Sequence, residues 1–160
     1  MSLYEAVGYL FYGIRVQRHG RGESGPFHLR GDSAQEIVES AIESRLAELG
    51  HVLPDWLSAP EGPTRTSKYR EYKSMLRELS YGCGLIIMGS GEVDDEVIFA
   101  AVSDSKKTCS SEDDHGGFGA KTIAPEQLVA PPEWDANLRK FCEMMQIPYT
   151  QPTWTLSMRG

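Results

Sequence analysis

The residues best equipped for chemistry lie between Cys109 and His115, where a thiol, the run Glu112-Asp113-Asp114 and an imidazole follow one another. A thiol with a histidine base would make a nucleophile, and a row of carboxylates would suit a hard cation. The nucleophile needs His115 within hydrogen-bond reach of Cys109 and a third group to orient the imidazole. The surrounding stretch from Ser103 to Lys121, SDSKKTCSSEDDHGGFGAK, is polar and glycine-rich and reads as a mobile loop, a poor support for that geometry. The carboxylates are sequential, so their side chains diverge, and the alternate spacing and central glycine of a calcium loop are missing. Gly116-Gly117-Phe118-Gly119 lacks the spacing of a dinucleotide fingerprint, and no Gly-x-Ser-x-Gly elbow, His-Glu-x-x-His pair or Walker lysine occurs. A solvated acidic loop is therefore expected here. The sequence assigns no catalytic residue, no metal ligand and no cofactor, and a small hydrolase built on Cys109 and His115 is the least favoured alternative.

A second cluster is basic. Arg18, His19, Arg21, His28 and Arg30 gather in RHGRGESGPFHLRG, which four glycines and a proline mark as a loop. The plain reading is a solvated loop; the rival is contact with an anion or a partner, because loops carry function disproportionately. Ser67 to Leu79 reads as an amphipathic helix with Tyr69, Tyr72, Leu76 and Leu79 along one side and Met75 at its edge. Lys68, Arg70, Lys73 and Arg77 line the rest. Basic residues interleaved with tyrosines are one mark of nucleic-acid contact. Against that, the net charge is −7, which opposes phosphate binding, and lysine and arginine stems cover apolar neighbours on ordinary helices. Arg18, His19, Arg21, His28, Arg30, Tyr69 and Tyr72 are the candidate ligand or partner contacts, and nucleic acid is not expected. His28 and His51 neighbour apolar residues and are expected to be partly buried.

The elements that must position these residues centre on GCGLIIMGSGEVDDEVIFAAV, Gly82 to Val102. Two apolar runs too short for independent helices flank a glycine-rich, acidic segment, which reads as a β-hairpin buried on both faces. GYLFYGIRVQ, residues 8–17, supplies another strand, with Leu10, Tyr12, Ile14 and Val16 on one face and Tyr9, Phe11 and Arg15 on the other. Gly13 inside it marks a bulge or a close backbone approach. Residues 33–49 form the clearest helix: Ser33 and Glu36 make a capping box, Gly50 suits a left-handed end, and Ala34, Ile37, Val38, Ala41, Ile42, Leu46 and Leu49 make one stripe. Residues 133–146 form a further helix after Pro131-Pro132, burying Trp134, Leu138, Phe141, Cys142 and Met145, and TWTLSM closes as a strand. The fold class is α+β: a single domain over residues 1–160, with a mixed, mostly antiparallel sheet of residues 9–17, 84–89, 96–102 and 153–158. Helices 33–49, 67–79 and 133–146 cover it.

A chain of 160 residues fits one domain. No apolar run approaches the roughly 20 residues of a membrane span, and the N-terminal stretch lacks the basic flank of a secretory signal. Cytoplasmic location and no membrane association are expected. Cys83, Cys109 and Cys142 are scattered and odd in number, which suits free thiols. The acidic excess lies mostly in residues 81–160.

GYLFYGIRV near the start, YGCGLI followed by VIFAAVSDS in the middle, and PPEWDANLRKFCEMMQIPYTQPTWTLSM at the end resemble a family of small accessory proteins of tailed bacteriophages. The resemblance implies a setting inside a bacterial host cell and no catalytic motif. It also implies a task of binding and modulating a host or defence protein. A small-ligand or nucleotide-binding, sponge-like protein using Arg18, Arg21, Arg30 and the tyrosine-lined helix is the alternative.

Overall fold

Strand β1, Val7–Val16, alternates its side chains across the middle of a five-stranded sheet. In the computed structural model the described residues are 7–16, 34–88, 97–103, 107–109 and 124–159. They contain α1 (Ala34–Glu48), α2 (Pro63–Leu79), β2 (Cys83–Met88), β3 (Val97–Val102), β4 (Lys107–Cys109), a short 3₁₀ turn at Pro125–Leu128, α3 (Pro132–Met145) and β5 (Thr153–Arg159). At Gly8–Leu10 both β4 and β5 pair with β1, and at Gly13 both β3 and β5 do. A strand has two edges, so β5 holds one and β3 followed by β4 holds the other. Between Ala101 opposite Gly13 and Lys107 opposite Leu10 the register shifts by three residues. β2 pairs outside β3, from Cys83↔Val102 to Met88↔Val97.

The architecture is α+β, and the described residues form three helices and one sheet. Every described pairing is antiparallel, in keeping with the expectation of a mostly antiparallel sheet. β2 and β3 are consecutive strands of a hairpin, and β5 returns along β1 in the opposite direction, which leaves no parallel neighbour among the described strands. β4 falls inside the stretch that reads as a mobile loop. Lys-Thr-Cys carries no apolar pattern, and its strand character comes from following β3 along the same edge of β1.

One face of the sheet makes the core. Tyr12, Ile14 and Val16 of β1, Cys83 and Leu85 of β2, and Ile98, Ala100 and Val102 of β3 share it with Ile42, Leu46, Tyr72, Leu76, Leu138, Phe141, Cys142, Met145 and Ile147 from the helical side. Leu46, Leu138 and Phe141 are wholly buried, each stabilising the fold by about 1.5–3 kcal/mol. The opposite face differs from the expectation of a hairpin buried on both sides: Ile86, Met88, Val97 and Phe99 are half-buried there. Phe11 is wholly buried on that face and meets Phe99 edge-to-face at 5.0 Å.

Local sequence sets the helix ends. Gly50, at φ 85°, takes the left-handed position after α1, and the His51 N–H reaches back to the Leu46 carbonyl at 2.9 Å. That reversal leaves Leu49 47% exposed, off the stripe its spacing suggests, and leaves His51 exposed where partial burial is expected. The Ser33–Glu36 capping box lies outside the described side chains. α2 begins at Pro63, four residues earlier than its apolar period, because proline fits the first turn of a helix.

Candidate interaction surface

The connector between α1 and α2 is pinned from within. Leu53 and Trp56 pack against the core and Ala59 is buried. Arg65 of α2 fastens the same segment by donating from Nε to the Ala59 carbonyl at 2.8 Å and from Nη2 to the Leu57 carbonyl at 3.2 Å. Asp55 accepts from the Ser58 N–H at 3.2 Å, and this pairing with Ser58 holds its carboxyl below the usual range. With those groups turned inward, the remaining apolar side chains face solvent: Val52 is 83% exposed and Leu57 66%.

Tyr69 continues this surface onto α2. It is 38% exposed, lies edge-on to Trp56 at 4.8 Å and stacks beside Tyr72 at 6.1 Å. Lys73 places its Nζ 5.6 Å from the Tyr69 ring centre and 2.7 Å from Glu39 Oε1. Burial alone would lower the Lys73 ammonium, but the hydrogen bond and charge of Glu39 outweigh it and raise the group. Tyr72 is buried and donates its hydroxyl hydrogen to Glu43 of α1. Desolvation first, and the Glu43 hydrogen bond second, push its phenol upward. Tyr72 therefore joins α1 to α2 from inside, while Tyr69 is the member of the pair that meets solvent.

A second aromatic group sits at the opposite end of the sheet. Tyr12, Trp134 and Trp154 lie with ring centres 5.4–6.1 Å apart, and Arg139 covers Tyr149 at 4.1 Å. Rings this close fill the space between them, so the cluster is packing. Neither described thiol suits nucleophilic chemistry: Cys83 and Cys142 are free and buried, and burial pushes them up to about 12 and about 11. Among the described residues no group of His, Cys, Asp and Glu is arranged to hold a metal ion.

Of the candidate contacts, Tyr69 and Tyr72 fall in α2 as above, while Arg18, His19, Arg21, His28 and Arg30 lie outside the described residues, as does His115. Cys109 is the last residue of β4. Val52, Trp56 and Leu57 escape sequence reasoning, and the only signal for them is a tryptophan set among prolines. No family model, curated protein or solved structure matches the chain. No helix among the described residues is long and apolar enough to cross a membrane.

Proposed function

We infer that the chain is a non-enzymatic accessory protein of bacteriophage type, which binds and modulates a host or defence protein in the cytoplasm of a bacterial cell. The observation that carries this reading is the α1–α2 corner, where Val52, Leu57 and Tyr69 are held in solvent by a connector that Arg65 and Trp56 fix in place. Single exposed apolar residues are ordinary, but a rigid group of them marks a contact surface. An aromatic ring rimmed by polar groups is also the composition of a binding hot spot. The nucleotide-binding alternative rests on Arg18, Arg21 and Arg30, which lie outside the described residues, and on the tyrosine-lined helix, where Lys73 beside Tyr69 is already paired with Glu39.

Affinity capture from bacterial lysates tests the reading. The wild-type chain should retain a stoichiometric protein, and the double variant Val52→Ser, Leu57→Ser should lose it with its melting temperature unchanged. No stoichiometric partner across several hosts, or capture indifferent to the two substitutions, counts against it. A thermal shift with nucleotides that Tyr69→Ala abolishes would favour the alternative.

A further inference from the structure

Among the described residues β5 is paired on one side only. It runs antiparallel to β1 from Arg159↔Val7 to Thr153↔Gly13, and no described strand pairs with its outer edge. An unpaired edge presents backbone N–H and C=O groups to whatever can add a strand. Thr153 and Leu156 are exposed, Leu156 at 59% although it stands opposite the buried Leu10. The strand holds no proline, and its one charge is Arg159 at the end, so it lacks the inward charges and breaks that usually protect an edge. β2, at the far border of the sheet, has no exposed residue.

We propose that the outer edge of β5 docks a second copy of this chain, pairing β5 with β5 antiparallel about a two-fold axis at Leu156 and joining the two sheets into one. The strand is its own antiparallel complement. With Leu156 on the axis, Thr155 falls opposite Ser157, Trp154 opposite Met158, and Thr153 opposite Arg159. Opposite residues in an antiparallel pair share a face, so the helix-bearing faces of both sheets emerge on the same side. Hydroxyl pairs and aromatic–aliphatic pairs of this kind favour strand pairing. Electrostatics admit this edge, as they do β2, which is equally free of acid. Two copies of a chain with net charge −7 repel each other, and within a Debye length of about 10 Å the repulsion is least where the approaching strands carry no acid. β5 carries none. The inference is independent of the partner-binding reading, because α1 packs on β2 at the far end of the sheet and its corner stays open in such a dimer.

Crosslinking at the axis is the test. Directly opposite Cα atoms in an antiparallel pair are about 4.5–5.5 Å apart, within the span a disulfide bridges. In a Cys109→Ser background, Leu156→Cys should form an intermolecular disulfide under mild oxidation much faster than the exposed control Leu57→Cys. Sedimentation equilibrium of the wild-type chain should give a dimer, and Leu156→Lys, which sets two like charges face to face, should give a folded monomer with an unchanged circular dichroism spectrum. The proposal falls if the wild-type chain is monomeric at every concentration, if Leu156→Lys leaves the dimer intact, or if Leu156→Cys crosslinks no faster than the control. A foreign strand seated on β5 of an otherwise monomeric chain overturns it equally.

Discussion

Tyr12 donates its hydroxyl hydrogen to Oδ1 of Asp135 across 2.7 Å, tying the middle of β1 to the first turn of α3 across a sequence separation of 123. The bond fixes where α3 enters the sheet, and Trp134 and Trp154 pack around the same ring. Replacing Tyr12 with Phe keeps the packing and leaves the carboxylate without its donor. A loss of about 1–2 kcal/mol is expected, a hydrogen bond to a charged acceptor at a half-exposed site, measured by urea denaturation.

The same tyrosine predicts an alkaline limit. Burial chiefly, and the bond to Asp135 next, push the Tyr12 phenol from 10.0 up to about 12. The unfolded chain therefore gives up this proton before the folded chain does. The stabilisation is fully present below pH about 10 and drains away as the pH climbs to about 12. Tyr72, raised by its own burial, adds to the decline. Melting temperature plotted against pH should fall through this window, and less steeply in Tyr12→Phe.

Gly13 occupies a place with no room for a side chain. A Cβ there would lie 2.3 Å from the Ala100 carbonyl oxygen and 2.8 Å from the Ala101 Cα, both backbone atoms of the paired β3. Gly13→Ala should cost about 1–3 kcal/mol or more, as overpacking does. Gly84 is the control: its Cβ would meet only the Ser103 Oγ at 3.7 Å, so Gly84→Ala should change stability by less than about 1 kcal/mol. Equal effects of the two substitutions would refute the steric account.

Ser80 is buried in the turn before β2, and its hydroxyl has no hydrogen-bond partner among the described residues. An unsatisfied buried hydroxyl costs about 1–3 kcal/mol. Ser80→Ala removes it at nearly constant volume, so the variant should be as stable as the wild type or more so in calorimetry. A marked loss would reveal a partner for that oxygen.

Gln146 ends α3 in the left-handed region at φ 58°, with the Ile147 N–H reaching back to the Cys142 carbonyl at 2.8 Å. A residue with a Cβ pays roughly 1–2 kcal/mol in that conformation and glycine does not. Gln146→Gly should therefore raise the denaturation midpoint modestly, the gain partly offset by the greater freedom of the unfolded chain.

What the sequence reveals follows from how local each cause is. The runs at Leu85 and Val97 announce a hairpin, and the structure pairs them from Cys83↔Val102 to Met88↔Val97. Ile98 is buried, and Ile86, Ile87 and Phe99 are half-buried strand residues. Gly13 announces a close approach, and Ala100 supplies it. β4 stays hidden because its pairing depends on a distant strand and its own residues carry no period. The Tyr12–Asp135 bond is invisible for the same reason. The α1–α2 corner escapes differently. A connector rich in proline offers no repeat, so the inward turn of Trp56 and the outward turn of Leu57 are set by Arg65, which holds the Leu57 and Ala59 carbonyls from further along the chain.

Val7 opposes Arg159 and Gly13 opposes Thr153, so the sheet's middle strand acquires one border from a segment synthesised long after it. A nascent chain still tethered at that stretch to the ribosome holds β1 with a bare side, however well the hairpin and α3 have already formed. Closure of the sheet thus waits on translation, and any premature stop before Thr153 leaves an open ribbon exposed to proteases and to its neighbours.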